Sequence, residues 1–211
     1  MNDIFIYTMA QFLKDHIRET IIAFALEEFA KRGFSGASMT EIAEHAGVST
    51  GNIYRYFKNK KHLFETAMSA SFVKTFLKKI RQRVHAFPIG KQPNEIANNS
   101  PYSVISQELL QFTIENRLRV IILLEGAKDT IYENFANKLQ IELAETAINA
   151  LKLKKLYNDF EMIFALINDI YGNFLHSLCT VLRRYSDESV IKSAIAVCSS
   201  YHLGGLAMIA A

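Results

Sequence analysis

Ser38-Met39-Thr40-Glu41-Ile42-Ala43-Glu44-His45-Ala46-Gly47-Val48-Ser49-Thr50-Gly51-Asn52-Ile53-Tyr54-Arg55-Tyr56-Phe57 is the stretch that decides the fold. Two short helices crossing steeply need a small residue where they approach, which Ala43 supplies. The turn between them needs a residue that tolerates positive φ, which Gly47 supplies. Ile42, Ala46, Val48 and Ile53 are spaced to fill the corner beneath. Ser38 with Glu41 reads as a capping box opening the first helix, which stops near Ala46, and Ser49 caps a second that runs to about Phe57. This is the spacing of a helix-turn-helix, whose second helix enters the major groove N-terminus first. Its first turn, Thr50-Gly51-Asn52, is small and polar. Thr50 and Asn52 suit base edges or phosphates, and Gly51 suits close backbone approach. Tyr54, Arg55 and Tyr56 follow, with hydroxyls that need polar partners. Lys60 opens the next helix, where backbone N–H groups attract a phosphate.

Upstream, Lys14–Arg32 reads as an amphipathic helix with Ile17, Ile21, Ala25 and Phe29 on one stripe, ended by Gly33. Met1 to Phe12 lacks the basic flank of a signal peptide, and the residues before Met9 read as an extension with little structural role. Downstream, one helix is expected over Lys60–Val84. All three prolines fall between Phe87 and Pro101, the one linker-like stretch. Helices are then expected near Tyr102–Asn116, Arg117–Glu125, Ile131–Leu151, Asp159–Arg184 and Asp187–Ile209. The fold class is all-α: residues 1–58 form an N-terminal extension and a three-helix, homeodomain-like DNA-binding domain, and residues 59–211 form a helical bundle.

The net charge is only +3, but its distribution is uneven. From His45 to Asn94 there are ten Lys or Arg against a single acid, Glu65, a candidate footprint for phosphate. Cys179 and Cys198 both lie in apolar helical patterns, which suits a reducing cytoplasm better than a disulfide framework. Ser193–Ala211 carries no formal charge and approaches the length of a membrane span. Its serines, His202 and Gly204-Gly205 fit a buried interface helix better, so no membrane partner is expected.

Ala30-Lys31-Arg32-Gly33-Phe34, Met39-Thr40-Glu41-Ile42-Ala43 and Gly47 through Lys60 together closely resemble the tetracycline-repressor (TetR) family. The resemblance runs from about Lys14 to Met68, and beyond it the chain is similar to the family only in length and helical pattern. It implies a transcriptional repressor that binds a palindromic double-stranded DNA operator as a homodimer and is released by a small-molecule effector, with no cofactor. Carried over by position, Thr40, Thr50, Gly51 and Asn52 face bases or adjacent phosphates, while Tyr54, Tyr56 and Lys60 hold the backbone. Ser38 and Ser49 sit at the two helix starts, and Arg55 contributes specificity or charge.

Asp159–Arg184 is apolar almost all round and must be buried on more than one face. The resemblance implies that the last two helices pair with a second copy, which makes Leu175, Leu178, Leu182, Ile191, Ile195 and Tyr201 the candidate dimer residues. Bulky side chains on the central helices are the candidate ligand pocket, namely Phe72, Phe76, Ile105, Leu109, Phe112, Phe135, Phe164, Tyr171 and Phe174, with polar Asn168 among them to orient a ligand. Their aromatic and aliphatic character favours a largely apolar ligand over a sugar. Other classes fare worse. No nucleophile elbow, P-loop, glycine-rich dinucleotide turn or H-E-x-x-H is present, so an enzyme is not expected. His176/Cys179 and Cys198/His202 each share a helix face. In an antiparallel hairpin turning at Ser186, however, the pairs lie about 13 and 21 Å from the turn, too far apart for one ion unless a dimer brings different chains together. A DNA-binding nucleoid or developmental factor without an inducer is the alternative that keeps the same fold.

Overall fold

The computed structural model describes residues 2–88, 91, 95–157 and 159–209. Among these every regular element is helical: α1 (Asn2–Gly36), α2 (Met39–His45), α3 (Thr50–Tyr56), α4 (Lys60–Ala67), α5 (Ala70–His85), α6 (Pro101–Glu115), α7 (Arg117–Ile121), α8 (Phe135–Ala150), α9 (Leu153–Leu156), α10 (Phe160–Arg184) and α11 (Glu188–Ile209). A π-helical turn, Ile122–Gly126, continues α7. The all-α expectation holds, and four element boundaries need correction.

First, α1 begins at Asn2 rather than near Lys14, so the N-terminal residues extend the helix. Met9, Phe12 and Leu13 are exposed there. Second, the helix expected over Lys60–Val84 is two helices. Met68 leaves helical geometry (φ −101°, ψ 49°), and Ser69 caps α5 by accepting from the Phe72 amide at 3.4 Å. Arg119 Nε donates to the Ala67 carbonyl at 2.8 Å, so the break is held by a side chain from α7. Third, the helix expected from Ile131 starts only at Phe135. The Asp129 amide donates to Glu133, Thr130 Oγ1 donates to the Ala127 carbonyl, and Tyr132 N donates back to Thr130 Oγ1. Such local side-chain bonds compete with the helix for the same backbone groups. Fourth, α9 is an additional short helix, preceded by Lys152 at positive φ.

One core runs through most of the chain. Ile21, Ala25 and Phe29 of α1 pack with Ile42, Ala43, Ile53, Leu63 and Phe64, and the same cluster continues through Phe76, Val120–Leu124, Leu139, Cys179, Leu182 and Ile191. A smaller cluster joins α8, α9, α10 and α11 around Ala144, Ile148, Leu153, Ile163, Ile167 and Leu206.

The seam between the N-terminal helices and the bundle is close-packed. Gly33 turns the chain with φ 70°, and a Cβ built on Gly126 would lie 3.2 Å from the Phe29 carbonyl and 3.5 Å from Gly33 Cα. Glycine is therefore needed at Gly126 for backbone approach. Ser35 Oγ donates to Asp129 Oδ2 at 2.6 Å, and Arg183 pairs with Glu125 and reaches the Ala30 carbonyl. Phe64 sits at the middle of this seam, with ring centroids 5.3 Å from Phe29, 5.1 Å from Phe34 and 6.5 Å from Tyr132.

Candidate nucleic-acid interface

The helix-turn-helix is set by its caps. Ser38 Oγ accepts from the Glu41 amide at 3.5 Å, Ser49 Oγ accepts from the Asn52 amide at 3.2 Å, and Asn59 Oδ1 accepts from the His62 amide at 2.9 Å. Each satisfies an otherwise orphan donor of a first turn. The Asn59 cap was not anticipated from the sequence, although Asn before Lys60 is the expected chemistry. Gly47 takes φ 67°, and the amides of Gly47 and Val48 return to the Glu44 and Ala43 carbonyls at 3.1 and 2.9 Å. Ile42, Ala43, Ile53 and Phe57 are fully buried under the corner. The reciprocal half of the capping box does not form. Glu41 Oε1 instead meets Arg32 Nη2 at 2.9 Å, because Arg32 stands between α1 and α2 with its Nε 3.0 Å from Glu28 Oε1.

Burying Ile53 and Phe57 turns the opposite face of α3 outward. Gly51, Tyr54 and Arg55 are exposed, and Thr50 and Asn52 are half-exposed. Tyr54 keeps 50% of its surface accessible, unusual for so large a ring. A Cβ on Gly51 would meet nothing within 4 Å, so packing within the chain gives no reason for glycine there. Arg55 and Lys58 are exposed and have no acidic partner among the described residues. Thr40, in the first turn of α2, is also exposed.

Other candidates sit differently. The hydroxyls of Ser38 and Ser49 are engaged as caps. Tyr56 packs partly against the core, so its ring is shared with the fold. Lys60 is turned inward: its ammonium donates to the Ser35 and Ala37 carbonyls at 3.2 and 3.0 Å and lies 4.8 Å from the Phe34 ring centre. The expected backbone-holding role of that side chain gives way to anchoring the 33–37 turn.

The candidate pocket residues do not gather round one cavity. Phe72, Phe76 and Phe112 stack on one another with near-parallel rings, the first two buried, and so fill interior space. Leu109 and Phe135 pack against the same core, while Phe164 belongs to the smaller cluster. Tyr171 and Phe174 enclose the His202 ring, each with centroids 4.6 Å away. The Asn168 carbonyl accepts from Gln140 Nε2, and its side-chain oxygen is buried without a partner. Ile105 lines a separate groove between α5 and α6. Of the dimer candidates, Leu182, Ile191 and Ile195 are corrected: all three are buried within their own chain. Leu175 and Leu178 are half-buried against the core, whereas Tyr201 is 86% exposed.

The two Cys/His pairs are not brought together into a ligand set, and no group of three or more His, Cys, Asp or Glu suited to a metal occurs among the described residues. His202 is held neutral by burial and then by the Arg83 charge, with its pKa lowered to about 4. Burial pushes the Cys179 thiol up to about 12 and the Tyr171 phenol up to about 12. No described helix is long and apolar enough to cross a membrane.

A polar, cationic helix held outward by a tight apolar corner defines a helix-turn-helix DNA-binding protein. Residues 21–67 match the family model described as bacterial regulatory proteins, tetR family, so the N-terminal helices are similar to that family's regulators. Among curated relatives it is 31% identical to the fatty acid metabolism regulator protein of Bacillus subtilis over 116 residues, covering 50% of this chain and 59% of that protein. It is 44% identical to the HTH-type transcriptional regulator AcrR of Shigella flexneri over 59 residues, 26% of this chain and 27% of that one. The chain thus spans less than two thirds of the length of these curated relatives. Among solved structures, a putative tetR family regulator from Shewanella sp. PV-4 aligns over 86% of this chain and 95% of its own, with 16% identity and a TM-score of 0.39.

Proposed function

We propose that the protein is a ligand-responsive transcriptional repressor that binds a two-fold operator as a homodimer. The observation that carries this reading is the outward face of α3, where Thr50, Gly51, Asn52, Tyr54 and Arg55 are free of the core on a helix anchored by Ile53 and Phe57. A two-fold operator is read by two such helices about 34–36 Å apart, which calls for a dimer. Val190, Val197, Tyr201 and Met208 form an exposed apolar stripe along α11, spaced seven, four and seven residues apart, and this stripe supports pairing with a second copy. The break at Met68–Ser69 separates α4, which packs on α1, from α5. We place the domain boundary there rather than after Lys58. Arg119 bridges that break, so a shift of α7 on ligand binding would be passed to α4 and the recognition helix. A coupling of about 1–3 kcal/mol is the ordinary scale for such control.

Fluorescence anisotropy on DNA from directly upstream of the gene, with scrambled DNA alongside and across a salt series, tests the reading. Native DNA is expected to bind far more tightly than scrambled DNA, with affinity falling steeply as salt rises. The Tyr54→Ala/Arg55→Ala variant is expected to lose about ten- to a hundred-fold in affinity at unchanged melting temperature. Equal binding to native and scrambled DNA would instead favour the nucleoid-factor reading, and absence of binding at low salt would overturn the proposal.

A further inference from the structure

Between α5 and α6 lies a groove of about 590 Å3, within the range of small-molecule sites. Leu77, Ala86 and Ile105 give it an apolar lining, and Lys74, Lys78, Arg81, Gln82 and His85 line it with polar groups. From Lys74 to His85 the helix rises about 16 Å, so the groove is elongated. The neighbouring cations are neutralised. Arg81 is held by Glu142 through bonds of 2.6 and 2.9 Å, and Lys79 lies 3.5 Å from Glu108 on α6. Lys74 and Lys78 have no acidic partner among the described residues, and both are exposed. Standing four residues apart on one face, they repel each other. An anion between them relieves that repulsion, while the apolar lining beside them offers nothing to a bare inorganic ion or a DNA phosphate.

We propose that this groove binds an amphipathic organic anion, with its acidic head between Lys74 and Lys78 and its apolar body along Leu77, Ile105 and Ala86. The head would sit about two turns beyond Ser69, where α5 starts after the break from α4. Occupancy therefore bears on the segment that joins the DNA-binding helices to the bundle. The proposal rests on the regulator reading only for its consequence, since it gives the effector a chemical class; the binding itself is measurable without DNA.

Isothermal titration calorimetry on the full chain with octanoate, 1-octanol and acetate tests it. Octanoate is expected to bind saturably at one per chain, with 1-octanol (tail without charge) and acetate (charge without tail) each weaker by about ten-fold or more, the scale of a charge-assisted bond or several buried methylenes. Lys74→Gln/Lys78→Gln is expected to weaken octanoate by about ten-fold. Ile105→Asn is expected to weaken it as well, while Lys79→Gln, outside the groove, leaves it unchanged; thermal melts verify that each variant folds. Absence of saturable octanoate binding, equal binding of 1-octanol, or wild-type affinity in the double lysine variant would each overturn the site. If octanoate binds as expected but leaves operator affinity unchanged, the groove stands and its role as the effector site falls. If no DNA is bound with or without octanoate, the regulator reading falls and the groove stands.

Discussion

Between Ser38 and Phe57 each cap and turn residue has its hydrogen-bond partner within a few positions, whereas in the bundle from α5 to α11 many deciding bonds run to residues dozens of positions away. Ser49 answers Asn52, and Gly47 answers Glu44. Arg119, by contrast, answers Ala67, Arg117 donates to the Tyr185 carbonyl, and Arg183 reaches back to Ala30. The two regions nevertheless share one continuous core. A DNA-reading unit must present a fixed surface, so its geometry is specified locally and redundantly. The bundle depends instead on contacts between segments far apart in the chain.

The strongest way to break this contrast is at the seam. Phe64→Ala removes a buried ring shared by α1, α4 and the 127–134 turns and is expected to cost about 3–5 kcal/mol of unfolding free energy. Urea unfolding followed by circular dichroism should remain one transition at a lower midpoint. Two separated transitions would show that the regions fold independently and that the shared core does not couple them.

A smaller effect should appear within the bundle. His202 is neutral in the fold with a pKa near 4, against its ordinary 6.5 when unfolded. Below 6.5 the unfolded chain takes up a proton that the folded chain does not, so stability falls as pH falls from 6.5 towards 4, by up to about 3 kcal/mol. Melting temperatures measured from pH 7 down to 4.5 should show that decline, and His202→Phe, which keeps an aromatic ring against Tyr171 and Phe174, should flatten it. An unchanged slope in the variant would move the cause to other groups.

The smallest effect sharpens the local side of the comparison. Ser49→Ala deletes one cap and is expected to cost about 1 kcal/mol. Amide hydrogen exchange should rise in the first turn of α3 and leave the bundle unaffected. A change spread across α10 and α11 would contradict local specification.

Legibility followed the same division. The helix-turn-helix, its turn glycine, its two serine caps and its corner residues were all readable because each is a sequence-adjacent constraint. The break after Ala67 was not: Ala67-Met68-Ser69-Ala70 is compatible with continuous helix, and what stops it is a guanidinium 52 residues on. The inward turn of Lys60 was equally hidden, since it depends on where the 33–37 turn presents its carbonyls. Periodicity identified Phe72, Phe76, Leu182 and Ile191 as apolar helix faces, but it says nothing about whether such a face meets a ligand, a second chain or its own core.

The sequence by itself determined the helical class and the position of the DNA-reading unit, because caps, turns and 3.6-residue periodicity act over distances of a few residues. The tertiary structure alone decided which aromatic rings close on each other, where the fourth helix breaks, which cations are neutralised and which remain along the α5–α6 groove. Those outcomes depend on which surfaces meet across the fold, and close packing admits each pairing only after every helix has been placed.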